Sequence, residues 1–120
     1  GDDALNGYQG PIPIGADESC QTLADLEGLA SGYAVINVKL DKTGGLTGAL
    51  QLAREAKARG YELMVGCMAG TSLSMAPAFV IAQMCRFVDI DGPLLMARDR
   101  EPGLIFDNGR FSPPDPKLWG

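Results

Sequence analysis

Histidine is absent from this chain of 120 residues. Its absence excludes Ser-His-Asp and Cys-His nucleophile pairs and every metal site built on imidazole, so an acid, base or ligand must be Asp, Glu, Lys, Tyr or Cys. The three cysteines, Cys20, Cys67 and Cys85, form no C-x-x-C pair, and the sequence has no signal-peptide pattern. We therefore expect free thiols and a cytoplasmic location.

Clustered positive charge is also missing. The formal net charge is -5, and the ten lysine and arginine residues are scattered along the chain. A surface for nucleic acid or an anionic membrane would need grouped basic side chains to offset phosphate charge, so neither partner is expected. The longest mostly apolar run, residues 76–84, is far shorter than the roughly 20 residues that a membrane-spanning helix requires.

Two kinds of apolar pattern alternate along the chain. Short β-rich runs predict strands at 11–16, 33–38, 63–65 and 87–91, and helical spacing predicts helices at 20–30, 46–59 and 74–85. This β-α-β-α-β-α-β order with short connections predicts an α/β fold with a parallel sheet. A closed (β/α)₈ barrel takes about 250 residues, so four strands predict a half barrel, unless they form a small open sheet.

Behind the fourth strand, the pattern changes. Apolar residues 104–106, an Asn-Gly turn and Arg110-Phe111 predict a β-hairpin, and a proline-rich tail follows. We therefore divide the chain into a barrel half at 1–103 and a hairpin with tail at 104–120. The two edges of the four-stranded sheet would need cover from sequence outside these 120 residues.

Ionisable residues stand where the predicted strands end. Asp17 follows the first strand, Lys39 follows the second, and Asp89 and Asp91 end the fourth. Parallel strands finish at one rim, so these side chains should converge there. Simpler interpretations exist, because an acidic residue after a strand is often a helix cap and a lysine can simply pair with a carboxylate.

Other residues near these tips also have alternatives. Strand alternation would put Asp89 and Asp91 on one side, which raises at least one pKa unless a cation lies between them. That cation could be a bound ammonium group, or the side chain of Arg98 or Arg100. Lys42 is typical of a solvent-exposed loop charge.

Four motifs in this order resemble the enolase superfamily, in its muconate-lactonising-enzyme subgroup, and within it the dipeptide epimerases of the L-Ala-D/L-Glu type. The motifs are Ala16-Asp17-Glu18-Ser19, residues 38–45 (VKLDKTGG), Gly66-Cys67-Met68 and residues 89–93 (DIDGP). The resemblance runs from about residue 2 to residue 111. It implies the C-terminal half of a (β/α)₇β barrel, whose remaining strands and α+β capping domain lie in the N-terminal remainder, on the same or a separate chain.

The resemblance also implies roles at the metal and the reacting carbon. Asp17 would be the third of three carboxylate ligands to an essential Mg²⁺, and Glu18 would support that site without touching the metal. Lys39 would be the acid/base lysine on one face of the substrate α-carbon. A lysine acts as a base only if its pKa falls towards neutrality, which nearby Mg²⁺ and partial burial would favour.

The substrate implied by the resemblance is a dipeptide. Asp89 and Asp91 would hold its α-ammonium group, with Cys67 and Met68 in contact with it, although by residue type alone this cysteine and methionine are more typical of packing. The implied reaction is a 1,1-proton transfer through an enediolate, in cytoplasmic recycling of cell-wall peptides. The second lysine and two metal ligands are expected outside this chain, so the fragment alone should be inactive.

Two alternatives to this function stay open. The first is another enzyme of the subgroup, a cycloisomerase or an o-succinylbenzoate synthase, whose substrates carry no α-ammonium for Asp89 and Asp91. The second is a non-catalytic βα module, in which Lys39 and Asp17 only pair with each other. The sequence leaves assembly as a homo-oligomer open.

Overall fold

A computed structural model describes residues 1 to 120. Its main sheet has four parallel strands in the order β1 (Ile14–Ala16), β2 (Tyr33–Val38), β3 (Glu62–Val65) and β4 (Phe87–Val88). Helices α1 (Leu40–Thr43), α2 (Leu46–Ala58) and α3 (Ser72–Ala82) lie between the strands. Strands β5 (Phe106–Asp107) and β6 (Arg110–Phe111) form an antiparallel hairpin. The α/β fold with parallel strands and a terminal hairpin is as predicted.

The core lies between the sheet and its helices. Helix α2 buries one stripe of small and branched residues, and these pack on one face of β2 and β3. The buried members are Ala49, Leu52, Ala53 and Ala56 from the helix, Ile36 and Val38 from β2, and Leu63 and Val65 from β3. Side chains alternate along a strand, so Val35, Asn37 and Lys39 point to the opposite face, away from the helices. No helix combines the length and the apolar character needed to cross a membrane.

Local structure departs from the predictions near the first helix. The α-helix predicted at 20–30 is wrong: the segment forms a short 3₁₀ helix, Leu23–Glu27, followed by Gly28. A Thr22–Asp25 capping pair begins it, since the Thr22 amide donates to Asp25 Oδ2 at 2.7 Å. Only Leu26 of this helix is buried, so there is too little apolar contact to hold a longer helix on the sheet.

The other boundaries differ by a few residues. Helix α1 was not predicted; Gly44, at φ 77°, ends it in the left-handed region that glycine tolerates. Helix α3 begins two residues earlier than expected, so Pro77 lies in its second turn rather than its first. Strand β4 ends at Val88, and a 3₁₀ helix at Gly92–Leu95 follows it closely.

Ser72 ties the start of α3 to the segment before the hairpin. It is fully buried; its hydroxyl donates to Asp99, and it accepts the Leu104 amide at 2.8 Å. The Ser72 amide also donates to Asp99 Oδ1 at 2.7 Å. These contacts hold the hairpin against the barrel half, where Phe111 meets Phe79 edge to face.

We expect Ser72→Ala to destabilise the fold by about 1–3 kcal/mol, because it leaves the Leu104 amide without an acceptor. Urea unfolding followed by circular dichroism would measure the loss. Ser74→Ala is the matched control, since the Ser74 hydroxyl is near the surface and donates only to its own turn, at Thr71 O. An equal, small effect for both variants would show that the Ser72 contacts contribute little.

Candidate active site

The carboxyl ends of the four strands form one rim of the sheet. The ladder continues one residue past the strands: the Gly66 amide donates to Val38 O at 3.0 Å, and the Asp89 amide donates to Val65 O at 2.9 Å. Asp17 and Lys39 follow β1 and β2 directly. The parallel topology thus brings residues from four distant parts of the sequence to one side of the molecule.

Asp17 is held between two lysines. Lys39 Nζ donates to Asp17 Oδ2 at 2.8 Å, and Lys42 Nζ lies 3.5 Å from Asp17 Oδ1. The Lys39 side chain is only 13% exposed, and that of Asp17 is 33% exposed. The structure therefore joins the predicted base and the predicted metal ligand directly.

Lys42 was predicted to be an exposed loop charge, and that prediction is wrong. Its side chain is 18% exposed, and its ammonium also lies 3.6 Å from Glu18 Oε1. Helix α1 causes this placement, because the Lys42 amide donates to Lys39 O and the chain turns back over the end of β1. The exposed Glu18 side chain contacts the cluster only through Lys42.

The ion pair sets the protonation of both partners. Burial disfavours the charged form of Asp17, but the hydrogen bond from Lys39 and the charges of both lysines outweigh it and lower the Asp17 pKa. The hydrogen bond to Asp17 raises the pKa of Lys39, against the opposing effect of burial. The Asp17 carboxylate thus favours the ammonium form of Lys39, whereas the fall in the Lys39 pKa expected from the sequence depends on nearby Mg²⁺ and burial.

Asp89 and Asp91 come together on the same rim. Their carboxylate oxygens and Cys67 Sγ all lie within 4.8 Å of one another. Burial and the hydrogen bond with Asp91 raise the pKa of Asp89, as expected for two like charges in contact. Alternation along the fourth strand, the reason given from the sequence, does not explain this proximity. Strand β4 ends at Val88, and Asp91, at φ -87° and ψ 8°, is not part of a strand.

No arginine relieves this acidic pair. The ion pairs of the structure include neither Arg98 nor Arg100. The positive charge of Lys39 opposes this rise and lowers the Asp89 pKa. The acidic pair and the Asp17–Lys39 pair therefore interact electrostatically. An external cation would fit beside Asp89 and Asp91.

The cysteines and methionine near the rim have different surroundings. Cys67 is half-buried, and burial raises the pKa of its thiol, while Met68 is exposed beside it. All three cysteines are free thiols, and burial raises the pKa of Cys20 and of Cys85 to about 11. These protonated thiols are unreactive at neutral pH.

Asn37 and Gly66 belong to the site but were not singled out from the sequence. Asn37 precedes Lys39 by two residues on the same face of β2, is 9% exposed, and its Oδ1 accepts no hydrogen bond from the chain. A Cβ on Gly66 would lie 2.7 Å from Asn37 Oδ1 and 3.0 Å from Lys39 Cε. The available signal was one amide side chain between Ile36 and Val38 in an otherwise apolar strand.

The donor atoms on this rim fit a divalent cation in part. Mg²⁺ takes about six oxygen ligands, and the cluster with Lys39 and Lys42 offers one carboxylate, Asp17, whose oxygens both face lysine ammonium groups. The second cluster mixes the Cys67 thiol with carboxylates, a donor set that Mg²⁺ does not favour. A magnesium site at Asp17 therefore needs further oxygen ligands from outside these residues.

Parallel strands backed by helices, with Asp17, Lys39, Asp89 and Asp91 at the carboxyl rim, make up part of a β/α barrel. The chain belongs to the family Enolase C-terminal domain-like, whose sequence model matches residues 3–117. The resemblance drawn from the four motifs is thereby confirmed.

Curated relatives are similar over nearly the whole chain. N-acetyl-D-glutamate racemase from Pseudoalteromonas sp is 50% identical over 119 residues, which are 99% of this chain and 38% of the relative. L-Ala-D/L-Glu epimerase from Escherichia coli is 49% identical over 110 residues, which are 92% of this chain and 34% of the relative. The chain thus spans little more than a third of the length of these relatives.

Solved structures agree in fold. An enolase family member from Agrobacterium tumefaciens with homology to dipeptide epimerases, bound to sodium and L-Ala-L-Glu, matches with TM-score 0.94 and 53% identity over 100% of this chain and 37% of its own. A dipeptide epimerase from Methylococcus capsulatus, complexed with Mg and L-Arg-D-Lys, matches with TM-score 0.76 and 38% identity over 85% of this chain and 31% of its own. Four parallel strands and their helices therefore correspond to the C-terminal barrel half of such structures.

Proposed function

We propose that this chain is the C-terminal part of a Mg²⁺-dependent epimerase that inverts the glutamate α-carbon of a dipeptide such as L-Ala-L-Glu by 1,1-proton transfer. One observation carries the proposal: the half-buried Lys39 amine shares a rim with an acidic pair that no arginine neutralises. A base would remove the α-proton on one face of the substrate, and an acidic pair would bind the ammonium of a dipeptide. The chain is also 49% identical to an epimerase of this specificity.

Lys39 would move the proton on one face of the α-carbon. It projects from the rim on the side of the sheet away from the helices, where a substrate can approach it. Asp89 and Asp91 would bind the dipeptide's α-ammonium group, which supplies the cation that their proximity calls for. Cys67, which lies within 4.8 Å of that pair, and its exposed neighbour Met68 would contact the substrate.

Asp17 would hold the metal together with carboxylates from outside this chain. When bound, Mg²⁺ supplies stabilisation for the negative charge that develops on the substrate carboxylate as the α-proton leaves. With a second cation at Asp17, the hydrogen bond that raises the Lys39 pKa would be weaker, and Lys39 would be the better base. Lys42 and Glu18 would keep the Asp17 carboxylate in place.

The complete enzyme would comprise this chain and the remaining barrel strands and capping domain, in the same or a separate polypeptide. The main sheet supports this, because β1 and β4 each pair with only one neighbour and leave an open edge. A second base for the opposite face, and the other metal ligands, would come from that remainder. We propose residues 1–103 as the barrel half and 104–120 as an appended hairpin and tail.

N-acetyl-glutamate is the substrate of a second candidate function. A relative that is 50% identical is named a racemase of this compound, which has the same glutamate α-carbon with an acyl group on its nitrogen. It lacks the α-ammonium of a dipeptide, so it would leave Asp89 and Asp91 without a charge partner. That unpaired acidic couple favours the dipeptide.

Deuterium uptake tests both candidates. The complete enzyme is incubated in D₂O with Mg²⁺ and, separately, L-Ala-L-Glu, L-Ala-D-Glu and N-acetyl-D-glutamate, and the glutamate α-proton signal is followed by NMR. We expect the α-proton of both dipeptides to exchange and the epimers to interconvert. Faster exchange of N-acetyl-D-glutamate would favour the second candidate, and no uptake from any of the three would overturn the proposal.

A further inference from the structure

We propose that Asn37 and Gly66 are positioning residues for Lys39: together they fix the direction in which its amine points from the rim. The inference rests on the proposed role of Lys39 as the acid/base residue. Its basis is that the buried Asn37 amide and the end of the Lys39 side chain, both from β2, meet above Gly66 at the end of β3.

The first observation is the unpaired amide oxygen. Asn37 is 9% exposed, and its Oδ1 accepts no hydrogen bond from any group of the chain. A buried acceptor without a donor destabilises a fold, and an apolar side chain in the middle of β2 would avoid that loss. An asparagine here therefore indicates that Oδ1 accepts a hydrogen bond in another arrangement of the site.

The second observation identifies the neighbour. The position that a Gly66 Cβ would take is 2.7 Å from Asn37 Oδ1, 3.0 Å from Asn37 Nδ2 and 3.0 Å from Lys39 Cε. Both side chains therefore lie within 3.0 Å of a single point, and less than twice that distance separates Asn37 Oδ1 from the last carbon of Lys39. Rotation about the terminal bonds of Lys39 brings its amine towards this oxygen without moving the backbone.

Lys39 thus has two acceptors of different kinds. Asp17 is charged, lies at the rim and binds the amine at 2.8 Å, whereas Asn37 is neutral and lies deeper on the same face. Once Asp17 is engaged elsewhere, Asn37 Oδ1 is the acceptor that keeps one amine hydrogen fixed. The lone pair or the remaining hydrogens of the amine then point out of the rim, towards the substrate α-carbon.

Gly66 makes this arrangement possible. A Cβ this close to three side-chain atoms would force Asn37 or Lys39 to shift, because real Cβ contacts under 3.0 Å do not occur. The glycine follows β3 directly, and its own amide is held in the ladder by Val38 O, so the backbone cannot move away. The space above Gly66 is therefore occupied by the amide and the lysine end.

The test uses the complete enzyme and separates the two faces of the α-carbon. Initial loss of the α-proton in D₂O is measured from L-Ala-L-Glu and from L-Ala-D-Glu, with Lys39→Ala identifying the epimer whose proton Lys39 removes. We expect Asn37→Leu and Gly66→Ala to slow exchange of that epimer by about 10- to 100-fold, as a displaced reacting group does, and to change the other epimer by less than about threefold. Asn37→Ser keeps a neutral oxygen acceptor at this position and should recover part of the loss.

Asn6→Leu is the matched control. This exposed asparagine accepts a hydrogen bond from Ser31, which precedes β2 and therefore lies at the end of the sheet opposite the rim. It should leave the ratio of the two exchange rates unchanged. Suppose that Lys39→Ala slows only one epimer. Equal slowing of both epimers in Asn37→Leu and Gly66→Ala, or no slowing of either, would then overturn the inference. If Lys39→Ala itself shows no selectivity, the proposed function fails first.

Discussion

Lys39→Ala in the complete enzyme is expected to stop α-proton exchange for one epimer of the dipeptide. A positioned acid or base contributes about 10²- to 10⁴-fold, and the loss should fall in that range for the epimer whose proton Lys39 removes. The other epimer is deprotonated from the opposite face, so its proton should still exchange with D₂O at a rate within a few-fold. Epimerisation needs proton transfer on both faces of the α-carbon, so loss of transfer on one face should abolish it.

The fold should survive this substitution, because Lys42 remains beside Asp17 when Lys39 is removed. Thermal unfolding of the variant, monitored by circular dichroism, checks this. Lys57→Ala, an exposed lysine on α2, serves as the control and should change neither epimer. If both epimers still exchange normally in Lys39→Ala, Lys39 is not the acid/base residue and only pairs with Asp17.

The sequence predicted the elements whose pattern is local. Helix α2 was expected at 46–59 and is observed at Leu46–Ala58, because an alanine and leucine stripe and Gly60 determine it without help from distant residues. Strand β2 was likewise predicted without error at Tyr33–Val38. Strand order and direction followed from the alternation of such elements.

Elements that depend on tertiary contact were predicted less well. The segment 20–30 has leucines at helical spacing, yet only Leu26 reaches the core and Leu23 is exposed, so the segment forms a 3₁₀ helix. Lys42 could not be assigned to the site, since its burial depends on α1 turning back over β1. Pattern alone does not reveal which side of a short turn meets another strand.

The residues that support the site were invisible for a related reason. Asp99 meets Ser72 across 27 positions, and Asn37 acquires meaning only beside Gly66 on the next strand. Each is an ordinary polar or small residue in its local context. Charged tips such as Asp17 and Lys39 could be recognised because an ionised group after an apolar strand is itself a departure from the local pattern.

The acidic pair should decide which substrate the enzyme accepts. In the complete enzyme, we expect the double substitution Asp89→Asn and Asp91→Asn to raise KM for L-Ala-L-Glu by about 10- to 100-fold. The asparagine amides can still accept hydrogen bonds from the ammonium, so the total loss is about that of one hydrogen bond to a charged group, about 1.5–3 kcal/mol. Asp91→Asn alone should have a smaller effect. It removes one cause of the raised Asp89 pKa, so Asp89 stays ionised and can still bind the ammonium.

N-acetyl-glutamate supplies the internal control for this experiment, because it presents the same reacting carbon without an α-ammonium. Its exchange rate should stay within about threefold of the unmodified enzyme, since only the charge partner of the ammonium has been lost. Asp3→Asn, on the exposed N-terminal 3₁₀ helix, should affect neither compound. An equal rise in KM for both compounds would mean that Asp89 and Asp91 maintain the shape of the rim. No change for the dipeptide would mean that its ammonium binds elsewhere, and the acidic pair would then no longer favour a dipeptide over an N-acyl amino acid.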